Sequence, residues 1–361
     1  MKLRPNALGI VRGEGVHLYD EHGKAYIDAV SSWWVNLHGH SHPQIAQAIY
    51  QQAQTLAHCM FANLTHEPAV QLAERLLAIT PGEMRHVFYS DNGSCATEIA
   101  IKMALQAFTN RAQPRRTIVA LADGYHGDTF GAMSASGRGL FTEPFDDKLF
   151  NVAFIPAPTR ERAAESLAAL QKILTNGDVA ALIVEPLVQG AAGMAMYDPE
   201  YLRLARQLCD RYEVHLICDE IAVGCGRTGT FFAHEQADIR PDLMCLSKGI
   251  SGGYLPLSIV LCSDTIYAAF LDDSVARAFL HSHSYTGNPL ACRAALATLD
   301  IFDSDDVLAV NLKKSQKIGA ALAPLAGHPQ VRHLRQRGMI AAFDVARQAQ
   351  IAVIQVGGGA D

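Results

Sequence analysis

The chain has few of the features that mark membrane, secreted or nucleic-acid-binding proteins. It contains no apolar run long enough to span a bilayer, and residues 1–6 have none of the apolar core of a signal peptide. The net charge of −6 at pH 7 gives no basic surface for nucleic acid or an acidic membrane. These absences predict a cytoplasmic protein without a membrane or nucleic-acid partner.

Paired cysteines are also missing. The 8 cysteines are scattered without a C-x-x-C pair, and Cys218, Cys245 and Cys262 lie within apolar runs. Cysteines in such places behave as small buried groups, and free thiols are typical of reducing compartments. We therefore expect reduced, mostly buried cysteines and no disulfide framework.

The chain does contain a long alternation of apolar strands and amphipathic helices. Apolar residues make up 49% of the 361 residues, enough for a large core and two domains. Strands are predicted at 87–89, 117–120, 181–184, 215–218 and 243–246, and helices at 95–108, 161–174 and 199–211. This order predicts an α/β fold with a largely parallel sheet.

The regions on either side follow other patterns. Residues 10–30 alternate short apolar stretches with turns, which predicts a small antiparallel hairpin. Residues 306–345 predict a helix followed by a strand-like run at 338–343, and residues 356–361 predict an unstructured end. Further helices are predicted at 43–58, 67–79 and 289–302.

Two charged residues follow apolar strands at one predicted edge of the sheet. Asp219 comes directly after 215–218, and Lys248 lies 29 positions later, just beyond 243–246. In an open parallel sheet, ligands bind beyond the carboxyl ends of the strands. A lysine there can form a Schiff base, and an aspartate can hold a proton on a pyridine nitrogen, as pyridoxal phosphate chemistry requires. Either charge alone is equally consistent with an ordinary strand end.

Two loops at the same predicted edge offer further binding groups. Gly93 feeds a helix N-terminus whose N–H groups and dipole attract phosphate, and Ser94 adds a hydroxyl. A simple Asn-Gly turn with a serine cap is the alternative. Tyr125 could stack on a flat cofactor or pack over the core with its hydroxyl in water. We expect His126 to support the site by hydrogen bonding and not as an acid or base.

Two other motifs are given little weight. Residues 224–229 match G-x-G-x-x-G, but they do not open the helix of a first βαβ unit, so a dinucleotide site is rejected. His38, His40 and His42 would share one side of an extended segment. Because Pro43 follows at once and H-E-x-x-H is missing, a loop feeding a helix is preferred to a metal site.

Together these runs resemble the class III, pyridoxal-phosphate-dependent aminotransferases, from about residue 13 to residue 302. The most specific segments are, in order, 216–220, 226–229, 247–249 and 286–291. The resemblance implies fold type I, in which a mixed, mostly parallel sheet lies between helices. It also implies a large cofactor-binding domain at 32–303. A small α+β domain would be built from residues 1–31 and 304–361.

Within the family, residues 31–34 and 125–134 resemble members that act in biotin biosynthesis. The resemblance implies transfer of an amino group from S-adenosyl-L-methionine to 8-amino-7-oxononanoate, giving 7,8-diaminononanoate. Another class III enzyme, acting on an ω-amino acid or a diamine, is the first alternative. A truncated inactive remnant is the second, and a metal hydrolase is a distant further one.

The resemblance also implies roles for single residues. Lys248 would bond the cofactor and move a proton, while Asp219 would pair with the protonated pyridine nitrogen. The other implied cofactor contacts are Gly93 and Ser94 at the phosphate, Tyr125 over the ring, Glu185 and Gln189 near the phenolic oxygen, and Ser284. The implied substrate contacts are Trp33, Trp34, Tyr125 and Asp128, with plain core packing as the alternative for the two tryptophans.

Ser284 would reach the phosphate held by a neighbouring subunit, so a homodimer with shared active sites is expected. Compared with the family, the chain is expected to be shortened at both ends. It would lack an early segment with an active-site aromatic and a late arginine that binds the substrate carboxylate. Residues 346–361 match no family pattern.

Overall fold

The structure is a computed structural model that describes residues 7–82, 84–346 and 351–355. The unstructured end predicted at 356–361 lies outside the described residues. Within them the strands are, in chain order, β1 (Ile10–Glu14), β2 (His17–Asp20), β3 (Ala25–Ile27), β4 (Met84–Ser90), β5 (Thr117–Leu121), β6 (Val152–Ile155), β7 (Val179–Val184), β8 (Val188–Gln189), β9 (Ala195–Met196), β10 (His215–Asp219), β11 (Leu243–Leu246), β12 (Ser258–Ser263), β13 (Val331–Arg337), β14 (Ile340–Val345) and β15 (Ile351–Gln355).

The α-helices of five or more residues in the same part of the chain are Pro43–Thr55, Glu67–Ile79, Gly93–Asn110, Phe130–Ala135, Ala163–Leu174, Pro199–Arg211, Asp264–Ala268, Pro289–Ser304 and Val307–Leu322. The helix predicted at 43–58 ends earlier, because Leu56 adopts an extended backbone. The helix predicted at 95–108 begins earlier, because the side chain of Asn92 caps it by accepting the N–H of Cys95.

The central sheet has seven strands in the order β4-β12-β11-β10-β7-β5-β6. Strand β12 pairs antiparallel with both β11 and β4, and the other neighbours pair in parallel. The predicted mixed, mostly parallel sheet is therefore confirmed. Strands β6 and β12 are additions that the sequence pattern did not predict.

Helices cover both faces of this sheet, and strand β7 shows why. All its residues are buried. Leu182 and Val184 pack with the helices Ala163–Leu174 and Pro199–Arg211, while Ala181 and Ile183 pack on the side of Gly93–Asn110. Successive side chains of a strand point to opposite faces. The residues of a continuous apolar run therefore pack alternately into the cores on the two faces of the sheet. Full burial of each larger aliphatic side chain stabilises the fold by about 1.5–3 kcal/mol.

Two three-stranded antiparallel sheets and the two-stranded antiparallel pair of β8 and β9 lie outside the central one in the described residues. The hairpin predicted at 10–30 is a three-stranded sheet in the order β1-β2-β3. The second has the order β13-β14-β15, and its third strand lies in the region where no family pattern was expected. The domain boundaries at residues 31 and 304 stay a prediction.

The hairpin of β13 and β14 is fastened to loops of the central sheet. The strand-like run predicted at 338–343 begins only at Ile340, because Gly338 and Met339 form the turn. The N–H of Met339 donates to the carbonyl of Arg227 at 2.9 Å, and Arg335 Nε donates to the carbonyl of Met194 at 3.0 Å. Gly338 has a φ of +57° and no room for a side chain against the backbone at Arg227, so glycine is required there.

The cysteines are all free, and six of the eight are buried. That agrees with the expectation of mostly buried thiols without disulfides. Across residues 7–82, 84–346 and 351–355, no helix has both the length and the apolar character needed to cross a membrane.

Candidate active site

Asp219 and Lys248 lie at the carboxyl ends of adjacent parallel strands. Asp219 is the last residue of β10 and pairs with Cys245 of β11. Lys248 follows β11 after Ser247 and has a φ of +47°, in the left-handed region. The register therefore brings both side chains to one edge of the sheet, as the sequence predicted. Non-glycine residues in this region are uncommon and concentrate at functional sites.

The pKa of the Lys248 amine depends on its burial and on three neighbouring charges. Burial lowers its pKa, the charges of Asp219 and Glu185 raise it, and Arg227 lowers it, so that the net direction is downward. A lowered pKa increases the neutral, nucleophilic fraction of an amine at neutral pH. The Nζ atom lies 5.0 Å from the ring centroid of Trp34.

Asp219 is buried and held by two donors. His126 Nδ1 lies 2.7 Å from Asp219 Oδ2, and the N–H of Ile221 donates to Oδ1 at 3.1 Å. Burial lowers the pKa of His126, but the hydrogen bond and charge of Asp219 outweigh it and raise that pKa. The N–H of His126 donates to Ser136 Oγ at 2.9 Å, which fixes the backbone of the loop. His126 is thus placed as a hydrogen-bonding support, as predicted.

A glycine turn and a helix N-terminus form a cup near this pair. The helix Gly93–Asn110 starts there, and Ser94 Oγ accepts the N–H of Asp128 at 3.1 Å. A side chain at Gly127 would overlap Ser94, and Gly127 has a φ of +131°. The first N–H groups of the helix, the positive end of its dipole and the hydroxyl of Ser94 suit a phosphate group.

Glu185 and Gln189 join the neighbouring loops. Glu185 accepts the N–H of Tyr125 at 3.1 Å on Oε2 and the N–H of Gly190 at 2.9 Å on Oε1. Burial raises the pKa of Glu185 to about 7, with the charge of Asp219 adding to the rise and His126 opposing it. Gln189 donates to the carbonyl of Ala122 at 2.9 Å, so it ties this segment to the end of β5.

Tyr125 sits beside Asp128 with part of its ring open. The side chain is 40% exposed, and burial of its hydroxyl, together with a hydrogen bond to Asp128, raises its pKa. Its N–H is used by Glu185, so the loop that carries Tyr125 is anchored at its backbone. The exposed part leaves a ring face for a ligand, while Asp128 itself is exposed.

The two tryptophans have different surroundings. Trp34 is half-buried, packs against the core beside β7 and lies over Lys248. Its Nε1 atom is buried without a hydrogen-bond partner among the described residues. Trp33 is 77% exposed in the single chain. The structure therefore brings Trp34 to the candidate site and leaves Trp33 at the surface.

Ser284 is also exposed in the single chain, on a turn four residues before Asn288. Asn288 caps the helix Pro289–Ser304 by accepting the N–H groups of Leu290 and Ala291. Beside it, His283 Nε2 lies 3.3 Å from Ser90 Oγ, at the end of β4. Ser284 thus faces outward and is not grouped with Lys248 and Asp219.

Arg227 is a buried cation to which the sequence reasoning gave no role. It is 4% exposed, burial lowers its pKa to about 10, and its Nη2 atom has no partner among the described residues. It follows Asp219 by eight positions, and its charge lowers the pKa of Lys248. Buried cations are normally paired, so this one is available to a bound anion. The sequence analysis used residues 226–229 as a family segment, but nothing in that pattern indicated that the arginine is buried.

The three histidines near residue 40 engage different partners. His40 Nε2 lies 2.8 Å from Asp28 Oδ2, and the ring centroid of His38 lies 5.3 Å from that of Phe302. Burial lowers the pKa of His38 to about 4. His42 precedes the helix Pro43–Thr55. In the described ranges no three His, Cys, Asp or Glu residues are grouped as a metal site.

Comparisons with known proteins identify a family of similar chains. The family model described as aminotransferase class III matches residues 2–357. The chain is 47% identical to the adenosylmethionine-8-amino-7-oxononanoate aminotransferase of Synechococcus elongatus, over 96% of this chain and 83% of that protein. The enzyme of the same description from Helicobacter pylori is 42% identical, over 94% of this chain and 80% of that protein.

Solved structures of aminotransferases are also similar to this chain. The aminotransferase of that description from Methanocaldococcus jannaschii superposes with a TM-score of 0.91 at 38% identity, covering 95% of this chain and 80% of that one. The ω-transaminase from Pseudomonas jessenii in complex with PMP gives 0.90 at 30% identity, covering 95% and 79%. The family match extends to residue 357, so the expectation that 346–361 match no family pattern is wrong for most of that segment.

Proposed function

The chain belongs to the class III aminotransferases, and from that premise we propose that it converts 8-amino-7-oxononanoate to 7,8-diaminononanoate with S-adenosyl-L-methionine as amino donor. This reaction belongs to biotin biosynthesis, and pyridoxal 5'-phosphate is the cofactor. One observation carries the proposal. The amine of Lys248 and the buried Asp219–His126 pair converge at adjacent strand ends, in a chain 47% identical to a relative of that description.

The residues at this edge fit pyridoxal phosphate. They provide a half-buried amine with a lowered pKa, a buried carboxylate oriented by an imidazole, and a helix N-terminus beside a serine hydroxyl. When bound, the cofactor supplies an aldehyde that carries the amino group and a pyridine ring that accepts electrons. Chemistry of this kind needs one protein group at the aldehyde, one at the ring nitrogen and one at the phosphate.

We assign these tasks to residues of this chain. Lys248 bonds the cofactor and afterwards takes and returns a proton at the reacting carbon of the substrate. Asp219 holds the proton on the pyridine nitrogen, and His126 keeps the carboxylate in place. Gly93 and Ser94 bind the phosphate with the first N–H groups of the helix. Glu185 and Gln189 support the phenolic-oxygen side through the loops that they join.

Substrate binding is assigned to groups around Lys248. Trp34 and the open face of Tyr125 offer apolar surface for the aliphatic chain of the keto substrate, and Trp33 extends that surface outward. Asp128, which is hydrogen-bonded to the hydroxyl of Tyr125, would accept a hydrogen bond from the amino group of a substrate. The unused donor of Arg227 suits a substrate carboxylate, because charge-assisted hydrogen bonds are strong in a dry site.

We also propose a homodimer with shared active sites. Ser284 and Tyr285 are exposed on one turn, and Leu140 and Phe141 expose more than four-fifths of their surface. Apolar side chains of this size at a surface are typical of an interface. Ser284 would then bind the phosphate of the neighbouring subunit. Light scattering should give the mass of two chains, and a single-chain mass with full activity would contradict the dimer.

A second candidate is transfer from an ω-amino acid or a diamine. Several of the similar structures are ω-transaminases, one of them from Thermomicrobium roseum with a TM-score of 0.90 at 31% identity. The fold is therefore compatible with such donors, although the nearer relatives in sequence carry the other description. The cytoplasmic localisation predicted from the sequence stays a prediction.

The test is a donor comparison with product detection. The purified chain, loaded with pyridoxal phosphate, is incubated with 8-amino-7-oxononanoate and either S-adenosyl-L-methionine, an ω-amino acid or a diamine. Mass spectrometry should detect 7,8-diaminononanoate with S-adenosyl-L-methionine, and Lys248→Ala should give none. Product formed only with an ω-amino acid or a diamine would show that such an amine is the donor, in place of S-adenosyl-L-methionine. No product with any donor would support the inactive remnant.

A further inference from the structure

Residues 31–34 form a left-handed turn that carries both tryptophans. The φ angles of Ser31, Ser32, Trp33 and Trp34 are +49°, +47°, +69° and +69°. Consecutive L-residues avoid this region, because the Cβ atom crowds the following carbonyl oxygen. Such a conformation persists only where its surroundings hold it, and it concentrates at functional sites. The turn contains neither glycine nor asparagine, so something nearby must hold it.

Asp28 is that holding group. The N–H of Ser32 donates to Oδ1 at 2.9 Å, and the hydroxyl of Ser32 donates to Oδ2 at 2.7 Å. His40 Nε2 lies 2.8 Å from Oδ2, and Asn36 Nδ2 lies 3.1 Å from His40 Nδ1. These partners fit a ring whose Nε2 donates to Asp28 and whose Nδ1 accepts from Asn36. The side chain of Asp28 is only 6% exposed, whereas Ser32 itself lies at the surface.

The turn is packed against the loop that carries Lys248. Trp34 lies over the amine at 5.0 Å. A side chain at Gly249 would come within 2.9 Å of Leu37, and one at Gly253 would overlap Asn36. The backbone of His40 also exchanges two hydrogen bonds with Gly15. A shift of residues 31–36 would therefore move Trp34 relative to Lys248.

We propose that Asp28 is a positioning residue for amino transfer: it holds the left-handed turn that sets Trp34 against Lys248 and so shapes the substrate pocket. Its kinetic consequence rests on the proposed function, whereas its effect on the turn does not. Asp28 touches neither Lys248 nor Asp219 in the contacts described above. It acts through Ser32, His40 and the ring of Trp34.

Intrinsic fluorescence reads the turn directly, because Trp33 and Trp34 are the 2 tryptophans of the chain. In a Trp33→Phe background without cofactor, Trp34 is the remaining tryptophan, and it reports alone when the excitation wavelength avoids tyrosine. Asp28→Asn should shift its emission to longer wavelength and make it easier to quench with acrylamide. The matched control is Asp20→Asn, since Asp20 accepts three hydrogen bonds, from His22, Lys24 and Tyr26, in the neighbouring turn. The control should leave the emission unchanged.

Steady-state kinetics in the chain with both tryptophans give the second readout. Asp28→Asn should raise KM for 8-amino-7-oxononanoate about tenfold, as expected for a lost apolar contact, and change kcat less. Asp20→Asn should keep both constants close to those of the parent. Ser32→Ala retains the carboxylate of Asp28 and its contact with His40. This variant should therefore shift the emission and KM in the same direction as Asp28→Asn, but by a smaller amount.

The outcomes separate the two proposals. Equal emission of Asp28→Asn and its parent, or equal changes in Asp28→Asn and Asp20→Asn, would overturn the positioning role. If Asp28→Asn does not fold, Ser32→Ala decides, and unchanged emission in that variant overturns the role. If the chain transfers no amino group from any donor, the proposed function fails while the emission experiment still decides whether Asp28 holds the turn.

Discussion

Asp219 and His126 form a buried pair, with 2.7 Å between Oδ2 and Nδ1. Both side chains are almost completely shielded from water. If one of them is removed, water therefore cannot take its place beside the other. Removing one member of such a pair typically costs about 3–5 kcal/mol. The pair therefore couples the stability of the fold to the orientation of the carboxylate at the cofactor site.

His126→Gln should lower the free energy of unfolding by about 3 kcal/mol at pH 6 and weaken cofactor binding. The pKa of His126 is raised in the folded chain above its usual 6.5. Its stabilising contribution is therefore complete below pH 6.5 and is lost as the pH rises through the folded-state pKa. Urea unfolding at pH 6 and pH 9 should show the larger deficit at pH 6.

The control for that experiment is His86→Gln. His86 contacts Asp264 at 2.8 Å, but on the surface. We expect a loss of less than about 1 kcal/mol at either pH. Equal losses in the two variants would contradict a special contribution of the buried pair.

Glu185→Gln should change how stability depends on pH. Burial raises the pKa of Glu185 to about 7 in the folded chain. Its protonated form is therefore favoured by folding, and this contribution is lost as the pH rises from about 4.5 through 7, at roughly 1 kcal/mol per unit. The amide cannot ionise, so the variant should be less stable than the parent near pH 5 and recover relative to it near pH 8. A constant difference between the two unfolding curves would rule out the raised pKa.

Lys248→Ala should lower turnover at least about 100-fold, because both covalent attachment and proton transfer are lost. Borohydride treatment of the loaded parent should add the mass of the reduced cofactor to the peptide that contains Lys248. The variant should take up no such label. Lys102→Ala is the control, since Lys102 contacts His281 at 3.0 Å and has no part in the candidate site. A label that persists in Lys248→Ala would assign the attachment to another lysine.

Gly127→Ala should weaken cofactor binding at least about tenfold, since a misplaced binding group can cost more than that. A side chain at this position would overlap Ser94 and displace the cup. The matched control is Gly177→Ala, which has a φ of +72° but open space around it. That variant should lose only about 1 kcal/mol of stability and keep its cofactor affinity. Equal affinities in the two alanine variants would contradict the assignment of the phosphate cup.

The sequence predicted the central sheet because buried parallel strands leave long apolar runs. The same logic located Asp219 and Lys248, since both follow such runs. Strand β12 was missed, although its residues 258–263 are as apolar as the others. Nothing in its pattern distinguishes an antiparallel strand buried on both faces from a parallel one or a short helix.

The turn at 31–34 could not be predicted, because its conformation contradicts local preference. Ser31, Ser32 and the two tryptophans have no intrinsic tendency toward positive φ, so the side chain of Asp28 and the packing of this segment against the Lys248 loop account for it. The two tryptophans looked equivalent in sequence, whereas the turn directs Trp34 to Lys248 and exposes Trp33. Arg227 was overlooked for a different reason, since its burial comes from the packing of residues distant in the chain.

The hydrogen bonds that hold the β13–β14 hairpin against two loops also affect local unfolding of the protein. Met339 bonds to the loop of Arg227, and Arg335 bonds to the segment that follows Glu185 and Gln189. Segments linked in this way tend to unfold as one cooperative unit. Amide hydrogens in the hairpin and in these two loops should then exchange with solvent at similar rates. Cofactor binding should slow the exchange of all three together, although the hairpin itself lies outside the cofactor site.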